Sequence, residues 1–155
     1  MIQRVQSIYL LLTTLLSFLF LNGSFLSFIN KTGSLIKITF SNILKGTGTQ
    51  DFETAGNVFP LAAIIVVIPV LALITIFFYK NRTHQLRLAR ILIIIISLFI
   101  LVSAYYSYSV SAQYGAQLIP GFKMILPFLM LVFSILAFRG IRKDERLVKS
   151  YDRLR

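Results

Sequence analysis

Leu88 to Val110 reads LARILIIIISLFILVSAYYSYSV, and past Arg90 it holds no Asp, Glu, His, Lys or Arg. About twenty such residues in a helix rise roughly 30 Å, the thickness of a bilayer's hydrocarbon core. A buried helix of a soluble domain has no need of so long an uncharged run. The stretch therefore reads as a transmembrane span, and the rest of the chain follows the same logic. Of 155 residues 57% are hydrophobic, and the mean hydropathy is +0.81. Charges are segregated into short stretches between long apolar ones, as in an integral membrane protein. There are no cysteines, which excludes disulfides, thiolate metal sites and cysteine nucleophiles.

Three more spans are expected. SIYLLLTTLLSFLFL, Ser7 to Leu21, anchors a first span of about residues 2–24, with Arg4 snorkelling to the interface. A cleaved signal peptide is the rival reading, but no Ala-x-Ala site follows and further spans do. VFPLAAIIVVIPVLALITIFFY gives a second span, 58–79, with Pro60 in its first turn and Pro69 expected to kink it. The third is 88–110. The fourth is 119–138, with Pro120 at its start and Pro127 about two turns in. The expected fold is an all-α membrane protein: a four-transmembrane-helix bundle forming one integral membrane domain over residues 1–155.

Orientation follows from counting connectors. Arg4, the stretch KNRTHQLRLAR and the tail together carry twelve Lys or Arg; the opposite side carries four, Lys31, Lys37, Lys45 and Lys123. The positive-inside rule then puts both termini in the cytoplasm. The external loop, 30–57, begins with partial alternation around Asn30 to Gly33. It reads as a small hairpin, with Leu35, Lys37 and Thr39 on one face and Ile36, Ile38 and Phe40 on the other. GTGTQDFETAGN, Gly46 to Asn57, reads as loop, and SAQYGAQ, Ser111 to Gln117, as a connection too short to fold alone.

No Asp, Glu, His, Lys or Arg stands well inside a span, so the groups that mark proton relays and intramembrane catalysis are missing there. No metalloprotease, hydrolase or P-loop pattern occurs, and no catalytic residue, metal or cofactor is expected. His84 reads as a solvated loop residue and Lys123 as an interfacial lysine or an anion contact. Ser103, Ser107 and Ser111 recur every four residues as one narrow stripe, and Thr13 and Ser17 share the spacing. Small residues so placed suit close helix packing. Contact with another subunit, or the polar wall of a cavity, is the functional alternative.

The tail, 139–155, is RGIRKDERLVKSYDRLR. Continued as a helix, it sorts Ile141, Leu147, Val148, Tyr151 and Leu154 to one sector. Arg139, Arg142, Lys143, Arg146, Lys149 and Arg153 fall in the next. Asp144 breaks the pattern by projecting into the apolar sector. This cytoplasmic amphipathic helix is expected to contact anionic headgroups or a protein partner. A basic stripe without interleaved aromatics is a poor fit to nucleic acid.

The opening MIQRVQSIYLLL and the closing IRKDERLVKSYDRLR resemble the two ends of a Bacteroidota family of small four-span inner-membrane proteins of unknown function. The resemblance implies a bacterial cytoplasmic membrane and carries no activity over. The expected function is a non-enzymatic accessory or scaffold subunit of a larger envelope or secretion assembly. The alternative is a transporter or channel for a lipid or other small uncharged molecule, with the serine stripe lining its cavity and Pro69 and Pro127 permitting movement.

Overall fold

The computed structural model describes residues 3–30, 33–39, 41–46 and 52–153. Four helices alternate in direction: α1 (Gln3–Leu21), α2 (Phe59–Phe77), α3 (Arg82–Tyr114) and α4 (Leu126–Arg153). Each packs on its sequence neighbours, and α1 on α4 closes the ring. Four strands, β1 (Ser24–Ile29), β2 (Leu35–Thr39), β3 (Asn42–Gly46) and β4 (Phe52–Asn57), lie between α1 and α2, and a fifth, β5 (Gln117–Ile119), lies between α3 and α4.

The helices are apolar on the outside and partly polar within. On α1 the exposed side chains include Val5, Ile8, Leu11, Leu15 and Phe18, while Gln6, Thr13, Thr14 and Ser17 are buried. A soluble amphipathic helix has the reverse arrangement. In apolar surroundings a polar side chain is best kept inside and bonded. Thr13 and Thr14 donate to the carbonyls of Tyr9 and Leu10, each at 3.0 Å, four residues back. Three helical stretches, Phe59–Phe77, Arg82–Tyr114 and Phe122–Val148, are long and apolar enough to cross a membrane, as in a multi-pass membrane protein; Val5–Leu21 is apolar and shorter.

Several boundaries differ from the sequence expectation. The segment read as an external loop holds more than a hairpin: β1 to β5 form one antiparallel sheet in the order β4-β3-β2-β1-β5. Ile36 and Ile38 are buried and Leu35, Lys37 and Thr39 face the other way, as their alternation predicts; Phe40 lies outside the described residues. β4 forms within the stretch read as loop. It is an edge strand, exposed at Glu53, Thr54 and Ala55, so burial imposes no alternation on it. β5 is three residues long and gains its place by pairing with β1, Phe28 opposite Leu118. The segment following Asn81, read as a basic loop, is the first part of α3, which is one helix of 33 residues. α1 stops at Leu21, and Ile119 is strand, so α4 starts at Leu126. That places Pro127 in the first turn of α4, where a missing N–H leaves no helical bond unmade. Pro69 stays inside the continuous helix α2.

The length of α3 shapes one end of the molecule. The ring of Phe20, next to the last residue of α1, stands edge-on to that of Phe99 at 5.1 Å. Beyond Phe99, α3 continues for fifteen residues to Tyr114, a rise of about 22 Å. The sheet stands beside this extension. The ammonium of Lys45 on β3 lies 5.6 Å from the Tyr114 ring, and the face carrying Leu26, Phe28, Ile36 and Ile38 is buried. Phe25 and Leu26 are both buried because the register shifts between Ser24 and Leu26, a bulge that lets successive side chains turn inward.

At the opposite end the tail continues α4 without a break. Part of it packs against the bundle: Ile141 is 1% exposed and Asp144 6%, while Leu147 and Val148 stay exposed. Gln6 Nε2 donates to Asp144 Oδ2 at 2.7 Å. Four residues before Asp144, on the same helix face, stands Gly140, where a Cβ would meet Gln6 Cγ at 2.8 Å. The absent side chain lets Gln6 lie against α4, and the acid that spoils the tail's sorting is its acceptor. A buried polar group stripped of its partner costs about 1–3 kcal/mol, whereas replacing both partners by apolar groups is nearly neutral. Gln6→Leu is therefore expected to lower the thermal midpoint in detergent, and Gln6→Leu with Asp144→Leu to recover most of the loss. A double variant less stable than Gln6→Leu alone would contradict this role for the pair.

Candidate functional site

Two surfaces gather the residues singled out by sequence. The first is a cavity of about 450 Å³ between the α3 extension and the sheet. One wall is the serine stripe: Ser103, Ser107 and Ser111 all line it, with Ile100 and Tyr108. Phe25, Leu26 and Phe28 of β1 and Leu118 of β5 form the opposite wall. Lys123, Met124, Pro127 and Phe128 close it at the level where α4 begins. Small side chains every fourth residue leave α3 without bulk on this side, so the space stays open.

The polar groups of the cavity are few and placed. Ser111 Oγ donates to the Ala116 carbonyl at 2.8 Å, tying the end of α3 to the turn before β5. Ser103 Oγ is buried with no hydrogen-bond partner among the described residues. Lys123 Nζ donates to the Asn22 carbonyl, just past the end of α1. Gly23 makes this possible. Its φ of +73° turns the chain away from the helix, and a Cβ there would stand 3.4 Å from the ammonium. Lys123 is the one charged side chain among the described residues that line the cavity.

The second surface is the outer side of the tail. Arg139, Arg142, Lys143 and Arg146 are exposed and flank a shallow groove with Leu147. Lys149 and Arg153 follow on the same helix, and their side chains lie outside the described residues. Behind this ridge Gln6, Arg82, Gln85 and Asp144 line a small polar pocket of about 20 Å³. Gln85 Nε2 donates to the Thr75 carbonyl at 3.2 Å, and the Thr83 hydroxyl meets Glu145 Oε1 at 3.5 Å. The tail thus meets the start of α3 as well as α1.

Thr13 and Ser17 sit on neither surface. Both are fully buried, and their hydroxyls bond to carbonyls of their own helix, Ser17 to that of Thr14 at 3.0 Å. His84 is exposed, 6.3 Å from the Phe78 ring. Among the described residues no three His, Cys, Asp or Glu side chains stand together as metal ligands would. Sequence reasoning left out Gln6, whose partner is 138 residues away, and the β1 and β5 residues of the cavity. Asp144, out of place on the tail's apolar sector, was the available signal.

No curated protein matches the chain. Compared with known protein families, residues 2–154 match the one described as "Domain of unknown function (DUF4293)". With nearly its whole length matched, the chain belongs to the DUF4293 family.

Proposed function

We propose that this protein is a non-enzymatic accessory or scaffold subunit of a larger envelope or secretion assembly in a bacterial inner membrane, with four spans and both termini in the cytoplasm. The carrying observation is the basic ridge. Arg139, Arg142, Lys143 and Arg146 point outward from a helix whose other side is fastened to α1. An amphipathic helix that lay flat on a membrane would need its apolar sector for the lipid. Here Ile141 and Asp144 of that sector are already buried, which leaves only Leu147 and Val148 exposed among its described residues. The ridge is a projecting charged post, suited to acidic headgroups or to an acidic face of another subunit. The apolar outer face of α1 supports counting it as the fourth span, although seventeen residues rise only about 26 Å.

The alternative, a transporter or channel for a lipid or other small uncharged molecule, draws on the cavity. It has less support as a path, because Pro127 stands in a first turn and gives α4 no flexing point.

The orientation is tested with single cysteines at Thr54, exposed on β4, and Val148, exposed on the tail. On intact spheroplasts an impermeant maleimide should label the first and not the second; the reverse would overturn the charge count. The scaffold reading is tested by replacing Arg139, Arg142, Lys143 and Arg146 with Gln. Eight of the twelve basic residues on that side remain against four on the other, so topology should hold. On native gels after mild solubilisation the wild type should run as a complex far above 17.6 kDa, and the variant should fall to the free chain at an unchanged thermal midpoint. A wild type that runs alone would contradict the subunit reading.

A further inference from the structure

The cavity beside the α3 extension has a shape and a charge that specify a ligand, independently of the scaffold reading. From Ile100 to Ser111 it follows α3 for eleven residues, about 16 Å of helix rise. Its volume of about 450 Å³ is of the order of one long acyl chain, at about 30 Å³ for each small group.

The lining matches such a chain. Phe25, Leu26 and Phe28 on one side and Ile100 and Leu118 around them offer apolar contact. The polar groups besides are hydroxyls and, as the charged group among the described residues of the lining, the Lys123 ammonium. An ammonium carries three N–H groups. The Asn22 carbonyl takes one and fixes the group at the level where α1 ends and α4 begins. The other two suit the two oxygens of a single carboxylate. A phosphate usually draws on several cations or a ring of backbone donors, and no second cation among the described residues lines the space.

Position supplies the source. The end of α1, the start of α2 and the start of α4 share this level, and each shows large apolar side chains outward: Leu19, Phe59, Phe122 and Ile125. Along α3 the same level is followed by the exposed tyrosines Tyr105 and Tyr108, the residue type that marks a membrane boundary. Lys123 therefore stands where the carboxylate of a membrane-dissolved fatty acid would lie. The sheet and the α3 extension rise beyond it.

We propose that this cavity binds a long-chain fatty acid drawn from the surrounding bilayer, its carboxylate on Lys123 and its acyl chain between the serine stripe and the apolar face of β1 and β5. The serines act by being small. Ser107 stands midway along the wall, so its size sets whether the chain can pass.

The test uses the full chain in phosphatidylcholine nanodiscs and a palmitate bearing a diazirine near its end. After illumination and digestion, saturable label is expected on peptides containing Phe25 to Phe28 and Ile100 to Ser111. Palmitate should compete for it, whereas hexadecanol and acetate at the same concentration should not. Lys123→Gln should weaken competition by palmitate at least about tenfold, through loss of the charge-assisted hydrogen bonds to the carboxylate, and Lys123→Arg should largely restore it. Ser107→Phe should abolish the labelling and Ser107→Ala leave it, with thermal midpoints confirming that each variant is folded. Label spread over the lipid-facing Ile94 and Leu98, equal competition by hexadecanol, or undiminished competition in Lys123→Gln would each overturn the proposal. Should Ser107→Phe not fold, Ala104→Phe obstructs the same wall about one helical turn away, and labelling that persists in it overturns the proposal equally.

Discussion

Everything at the termini end depends on one contact, Gln6 on α1 with Gly140 and Asp144 on α4. The helices of the ring are consecutive except at this seam, where the first meets the last. Elsewhere a short connection keeps neighbours together. Here only packing and a hydrogen bond do so, across 138 residues of chain. The Tyr9 and Phe133 rings, stacked at 6.2 Å, extend the same seam toward the sheet. Closing it turns four helices into a bundle, and it makes the helix that carries Arg139, Arg142, Lys143 and Arg146 a fixed edge.

The far end is governed by a mismatch of lengths. α3 has 33 residues where α2 has 19, so its last turns emerge with nothing helical beside them. The sheet fills that role, laying its apolar face against them. Four strands come from one connection and the fifth from another, and the β1–β5 pairing ties the two. Because helix and sheet meet along a stripe of serines, the contact is incomplete and the cavity remains.

Much of this was legible in the sequence, and what was not has physical causes. Apolar runs mark the part of a helix that meets lipid, not the whole helix. Hence the spans could be read while the true ends of α3, in basic residues on one side and tyrosines on the other, could not. Alternation betrays a strand only where one face is buried. It showed β2, with Ile36 and Ile38, and was silent on the exposed edge strand β4. The serine stripe was visible as a period of four, but its opposite wall lies on β1 and β5, which no local pattern connects to α3. Asp144 was visible as an anomaly. Its explanation required Gln6, near the other end of the chain.

The central claim is that the charged tail is a rigid part of the bundle, fastened to α1. The chain has no cysteine, so a pair can be introduced without background. A cysteine at position 6 would place its Sγ near the present Gln6 Cγ, which stands 2.8 Å from where a Cβ at position 140 would be. Two such residues are close enough for a disulfide. Mild oxidation of Gln6→Cys with Gly140→Cys in native membranes should pair the two thiols within the chain and abolish maleimide labelling at both. Full labelling at both positions after oxidation, in a protein that still melts cooperatively, would show a tail independent of α1 and would contradict the account.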